Sequence, residues 1–223
     1  MSRSMALVKR LLSATILVLG PTLSGVAVAA EATATSLDSS NERRAGVVVG
    51  VNLGYGLAGS SGYPNSATKI DVPAFYSSSD LMSGGGGSLF VMGALTDYVS
   101  FGLWFGSATY ESSDWRSTGY GVGFRVEAFP LYKLVPSLAD LGVYTQLGIG
   151  STTLTTKLPG NYPGADGAQS FLGAGAFYEV LTPKLLGGHL AAGPSLEYDV
   201  ITSRATERHG ALAGARIVFY GGK

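Results

Sequence analysis

The chain has 223 residues, with 15 Lys+Arg against 15 Asp+Glu, 33 Gly and no Cys. The absence of cysteine excludes disulfide scaffolds, Cys-ligated metal sites, thiol catalysis and a lipidated N-terminal cysteine. Charged residues make up 13%, about half the usual share of ~25% for a soluble domain, and there is no basic excess or stripe of the kind that binds nucleic acid.

Residues 1–30 read as a secretory signal. Arg3, Lys9 and Arg10 form a positive n-region, Leu11 to Gly20 a short apolar h-region, and Pro21 breaks it. Ala27-Val28-Ala29 before Ala30-Glu31 is a small-x-small cleavage pattern. The apolar run is too short to span a bilayer as a helix, which needs about 20 residues. Its three basic residues leave 12 of the 15 basic residues against all 15 acidic ones in the chain from Glu31. Residues 31–45, rich in Ala, Thr, Ser, Glu and Arg, read as a flexible lead-in. Residues 46–223 form the remaining domain.

From position 46 onward the chain shows two-residue alternation punctuated by turn signals, the mark of strands. Eight segments carry it: 46–58, 86–96, 99–110, 118–129, 140–154, 169–181, 188–201 and 209–220. One parity is almost wholly apolar, as in Val47, Val49, Val51, Leu53, then Leu89 and Val91, then Phe101, Leu103, Phe105, then Val122, Phe124, Val126. The other parity is rich in glycine and carries every in-strand charge. Its polar members include Asn52, Arg125, Glu127, Gln146, Glu179, Glu197, Asp199 and Arg216.

A soluble barrel turns its apolar face inward and dresses the other with Lys, Glu and Thr. Here the polar face is small-sided and sparsely charged, as a cramped interior is, and the apolar face runs over every strand, as a lipid-facing wall does. Lipid forbids open sheet edges because unpaired backbone groups find no water there. The expected fold is therefore all-β: an eight-stranded, antiparallel, up-and-down transmembrane β-barrel after a cleaved signal peptide.

The connections are read on the same scheme. Thr96-Asp97-Tyr98 is a tight periplasmic turn, residues 182–187 a moderate one, and 130–139 a longer one with a helical turn. Outer loops are expected at 59–85, 111–117, 155–168 and 202–208, longer than the turns. Tyr55, Tyr120 and Tyr198 fall near the outer interface, and Phe101, Tyr178 and Phe219 near the inner one, as two aromatic girdles.

On these residues the chain resembles the small eight-stranded outer-membrane barrels, of the OmpA membrane-domain, OmpX and OmpW type, over about 46–220. Gly214-Ala215-Arg216-Ile217-Val218-Phe219 resembles the family's C-terminal assembly signal, carried by Gly214, Ile217 and Phe219. Family members usually stop at the aromatic residue, whereas Tyr220-Gly221-Gly222-Lys223 follow here. The resemblance implies export to the cell outer membrane of a Gram-negative envelope, and contact with outer-membrane lipid and with the outer-membrane assembly machinery. It also implies a structural or surface-interaction role in which the outer loops meet an extracellular ligand. The alternatives are a narrow porin-like channel for small or hydrophobic solutes, a membrane-embedded lipid-modifying enzyme, and a soluble periplasmic barrel. No cofactor, metal or nucleic-acid partner is implied.

The inward charges have two readings, a gate that touches solutes or an ion-pair plug that fixes register. An eight-stranded interior is just wide enough for side chains, which favours the plug. Arg125, Glu127, Glu179 and Arg216 map to the periplasmic half and should pair with one another. Glu197 and Asp199 lie higher, within reach of Arg204 or Arg208. Phe90, Trp104, Tyr144, Phe171 and Phe177 are candidates to fill the space left by glycine.

His189 and His209 stand at opposite ends of the barrel, too far apart to share an ion, and neither has a Ser two residues away on its own strand face to act as a nucleophile. The Gly84–Gly87 run lacks the Gly-Lys-Ser/Thr ending of a phosphate cradle and reads as loop. Pro194, which removes a ladder hydrogen bond, calls for a bulge or local break.

Overall fold

The computed structural model describes residues 44–159, 163–183 and 187–222. The signal segment, its cleavage site and most of the lead-in lie outside the described residues. The strands are β1 (Val47–Gly62), β2 (Ser77–Ser78), β3 (Met82–Thr96), β4 (Val99–Glu111), β5 (Trp115–Ala128), β6 (Leu141–Thr156), β7 (Ala165–Tyr178), β8 (Val180–Leu181), β9 (His189–Thr202) and β10 (Thr206–Gly221). β2 is a short addition to β1 at Ser61↔Ser78, and β8 prolongs β7 along β9 at Val180↔Ala192.

Eight staves result, each antiparallel to the next. The barrel closes where β10 pairs with both β9 and β1, the latter from Val47↔Gly221 to Gly62↔Thr206. Closure leaves no free edge.

The alternation sets inside and outside as the sequence implies. Outward residues of the apolar parity are open: Leu53 is 67% exposed, Phe124 56% and Ile149 71%. Inward residues of the other parity are buried. Soluble monomers rarely expose contiguous apolar patches beyond a few hundred Å², whereas lipid solvates such a wall. An edgeless antiparallel barrel with this exterior is an outer-membrane-type transmembrane barrel. The soluble alternative fails because the apolar face is the outside and not the core.

The strands run further than the alternation alone indicates. Sixteen residues at about 3.3 Å each, tilted by ~45°, rise some ~37 Å, well past an apolar band of about 25 Å. The extra length lies at the outer end, where the wall meets water. There the outward residues become Ser107, Thr109, Thr118, Ser151, Thr153 and Thr155, while inward Met82, Tyr110 and Leu154 are apolar, so the contrast between faces is reversed. The outer connections shrink accordingly to 63–81, 112–114, 157–164 and 203–205, so only the first is long. The expectation that the outer loops exceed the periplasmic turns holds for the first and is corrected for the connections at 112–114 and 203–205, which are shorter than the periplasmic stretch between β5 and β6. The reading of Gly84–Gly87 as loop is corrected too, since these residues lie within β3.

At the periplasmic end the connection after β5 does contain a helical turn, the 3₁₀ segment Pro136–Leu138. A register shift between Ala94 and Thr96 accompanies the tight turn that follows β3.

Pro194 is accommodated by a break rather than a bulge. The β7–β9 register (Phe177↔Ser195) and the β8–β9 register (Val180↔Ala192) are continuous. The ladder lapses over Tyr178 and Glu179, opposite the proline that has no N–H to give. Glu179 instead donates its N–H to the Asp140 carbonyl of the other neighbour at 3.0 Å.

Val122→Arg on the outward face of β5 is expected to cost about 2–4 kcal/mol, read as a shift in urea unfolding in lipid vesicles. A cost near zero would mean that the two faces are exchanged. On a gel, unboiled protein from an outer-membrane fraction is expected to run ahead of boiled protein. A single band would contradict a closed detergent-resistant barrel.

Candidate functional site

The lumen is where the chain gathers its unusual chemistry. All eight polar positions singled out from the sequence point inward. In the periplasmic half, the β5 pair Arg125 and Glu127 and the β10 residue Arg216 are fully buried with Glu179, which lies between β7 and β8. Arg125 Nε donates to Glu127 Oε1 at 2.7 Å. Arg216 is bidentate to Glu127, at 2.9 and 3.0 Å, and reaches Glu179 at 2.9 Å. Tyr220 donates its hydroxyl to Glu179 at 2.8 Å.

Aromatic rings flank the guanidinium planes. Arg125 lies 3.6 Å from the Tyr144 ring centroid and Arg216 3.6 Å from that of Phe177. Flat, weakly hydrated guanidinium suits such stacking, and lysine would not substitute for it.

One member of this cluster is missing from the sequence reading. Arg44, within the stretch assigned to the lead-in, is buried with a relative exposure of 1%. It pairs with Asp140 at 2.6 Å and Glu179 at 3.5 Å and lies 3.8 Å from the Phe129 ring centroid. It sits before the first alternating residue, so periodicity could not mark it. Asp140 just before β6 and the aromatic Phe129 just after β5, both of which meet Arg44, were the available signals.

The outer half differs. Asp199 meets Arg208 at 3.4 Å, as the sequence allowed. Arg204 instead pairs with Asp71 in the first outer loop at 2.9 Å. Glu197 accepts the Tyr144 hydroxyl at 2.6 Å rather than a loop arginine. The side-chain amides of Asn52 and Gln146 have no hydrogen-bond partner in the protein.

Between the halves, Trp104 and Phe171 pack at 4.5 Å between centroids. Gly121 leaves them room, since a Cβ there would lie 2.7 Å from the Trp104 ring. At the outer mouth Met82, Tyr110 and Leu154 form an apolar cluster with three alanines. Phe90, Tyr144 and Phe177 are also buried, so all five predicted fillers lie inside. A cavity of about 30 Å³ remains, lined by Asn52, Ser88, Glu197, Asp199 and Arg208 among others.

The histidines lie apart from this network. His189 bonds the Thr182 carbonyl through Nδ1 at 3.0 Å. His209, on the outer wall, bonds the Tyr198 hydroxyl at 2.7 Å and Glu207 at 2.6 Å. Among the described residues no three His, Cys, Asp or Glu side chains group to hold a metal ion. Of the residues resembling the assembly signal, Gly214 packs its backbone against that of β1, and Ile217 is exposed on the wall.

No family model matches the chain, and no curated protein matches it. Several solved outer-membrane barrels are similar to it in structure. Ail, the attachment invasion locus protein of Yersinia pestis, solved in complex with the heparin analogue sucrose octasulfate, is 16% identical, with a TM-score of 0.41 over 77% of this chain and 99% of that one. Neisserial surface protein A is 13% identical, with a TM-score of 0.45 over 78% and 97%. The N-terminal β-barrel domain of Pseudomonas aeruginosa OprF is 14% identical, with a TM-score of 0.41 over 79% and 99%.

Removing one partner from a buried ion pair leaves an uncompensated charge and costs about 3–5 kcal/mol, whereas an exposed pair contributes ~0–1 kcal/mol. Arg216→Leu is therefore expected to lower the urea midpoint far more than Arg204→Leu, whose side chain is 80% exposed. Equal midpoints would contradict a structural role for the cluster.

Proposed function

We propose that this protein is an outer-membrane barrel with a closed lumen that acts structurally and through its first outer loop, residues 63–81, as a surface-interaction module, without enzymatic chemistry. The carrying observation is the filled interior. The ion-pair cluster, the Trp104–Phe171 layer and the Met82–Tyr110–Leu154 cluster succeed one another along the axis and leave a cavity with room for only a few waters.

The loop supports the second half of the reading. It is held at several points along its length. Tyr63 donates its N–H to the Ala205 carbonyl at 2.7 Å, Asn65 donates its N–H to Asp166 at 3.0 Å, and Asp71 meets Arg204. Asp71 adopts a left-handed backbone, φ 67°, that fixes the bend before the short helix Pro73–Phe75. On this frame Val72 and Tyr76 stand exposed above the bilayer. A rigid loop with exposed apolar side chains suits an extracellular protein surface.

The outer rim carries Lys69, Arg116, Lys157 and Arg204 against Asp71, Asp80, Glu111, Asp114, Asp166 and Glu207. That acidic excess disfavours a polyanionic ligand. Lipid against the wall and recognition of β10 by the assembly machinery complete the proposed partners, with Gly214, Ile217 and Phe219 as the recognised positions.

A narrow channel is the second reading, favoured by the glycine-lined outer half. Planar-bilayer recording separates the two. The closed reading expects no stepwise current from the protein. Discrete openings would displace it in favour of the channel. Replacing Val72 and Tyr76 by Ser is expected to leave the unboiled gel mobility unchanged while removing binding to the extracellular partner.

A further inference from the structure

The outer compartment of the lumen has a charge imbalance that its protein contacts do not resolve. Three charged side chains line the cavity: Glu197, Asp199 and Arg208. Arg208 reaches Asp199, while Glu197 is met by the neutral Tyr144 hydroxyl. The periplasmic arginines form no ion pair with Glu197: Arg125 is paired with Glu127, Arg216 with Glu127 and Glu179, and Arg44 with Asp140 and Glu179. Glu197 is half-buried, and a carboxylate partly withdrawn from water is disfavoured without a cation beside it.

The same cavity presents unsatisfied neutral groups. Asn52 is 6% exposed and both of its amide atoms lack a protein partner, as does Ser88 Oγ. A buried polar atom left unpaired costs about 1–3 kcal/mol, so the site is built for an occupant. The walls between these groups are largely glycine, with Gly86, Gly106, Gly121 and Gly214 placing no side chain in the space.

Size and charge define that occupant. The volume of about 30 Å³ admits two or so water-sized particles at ~10–15 Å³ each. Two carboxylates with one guanidinium leave a single negative charge. Divalent cations take six or more oxygen ligands, with charge to match, which this compartment does not offer. We propose that the outer compartment is a binding site for one small monovalent cation, sodium or potassium. Glu197 and Asp199 supply the charge, and Asn52 Oδ1 and Ser88 Oγ serve as neutral ligands. The site is independent of the loop-mediated role, since it lies within the barrel and no loop residue lines it.

The test compares thermal unfolding of the purified protein in detergent at equal ionic strength in sodium, potassium and N-methyl-D-glucamine chloride. A bound cation stabilises the folded state by mass action, so sodium or potassium is expected to raise the midpoint by roughly 2–4 °C over the organic cation. Glu197→Gln keeps an acceptor for the Tyr144 hydroxyl and removes the charge, so its midpoints are expected to coincide in all three salts. Identical midpoints in the unsubstituted protein would overturn the site and leave Glu197 to carry a proton instead. A preference that persists in Glu197→Gln would place the ion effect elsewhere and also overturn it. Crystals grown in rubidium give a reading that needs no variant: an anomalous peak beside Glu197 is expected, and its absence counts against the proposal.

Discussion

The pairing of β10 with β1 is the contact on which the other features depend. In lipid each unpaired N–H or C=O costs several kcal/mol, so a sheet can cross only if its first and last staves meet. They meet over the full length of both strands, from Val47↔Gly221 to Gly62↔Thr206. That single register joins the two ends of the domain and fixes which residues point inward. A slip of one residue in β10 would carry Arg216 into lipid and Ile217 into the lumen.

Closure with eight staves then dictates the interior. The space is narrow enough that side chains must fill it, and it is far from water, so any charge within it must find a partner. Both demands are met by the same residues. Arg216 bridges Glu127 and Glu179 and Arg125 pairs with Glu127, while their flat faces lie against Tyr144, Phe177 and Phe90. Glycine on opposite staves makes the room: at Gly119 a side chain would collide with the Arg208 guanidinium. The glycines thus answer two packing requirements: some, such as Gly119, Gly121 and Gly142, make room for large aromatic and arginine side chains, and others, such as Gly123, Gly148 and Gly214, face the backbone of the adjacent stave too closely for a Cβ.

This logic explains what could be read in the sequence and what could not. The eight staves, the inward polar set and the aromatic fillers were legible because a lipid-facing wall forces strict alternation, and alternation is visible in a string of letters. The strand ends were not, because above the bilayer the outward residues turn polar while the inward Met82, Tyr110 and Leu154 are apolar, so Ser83, Arg116 and Thr155 read as loop. Gly84–Gly87 misled for a related reason: glycine carries no hydrophobic signal on either face, although its backbone pairs like any other. Arg44 was hidden because it enters the barrel from below the first stave, outside any repeat. Glu197 was read as seeking an arginine because charge suggests charge, whereas the tube brought a phenol from β6 to it.

Residues 63–81 owe their prominence to the same geometry. Extending the staves past the bilayer shortened the other outer connections, to three residues in two cases, and left this loop alone with enough chain to fold on itself. The first stave borders the closing seam, so its loop can lean across the β9–β10 hairpin and reach the β6–β7 side, where Asn65 meets Asp166 and Ser77 bonds the Pro163 carbonyl. Such anchoring lowers the entropy lost when a partner binds. The packed lumen and the anchored loop therefore share one origin: long staves closed into a narrow tube bury the inward side chains and bring the ends of β6, β7, β9 and β10 close enough to hold residues 63–81.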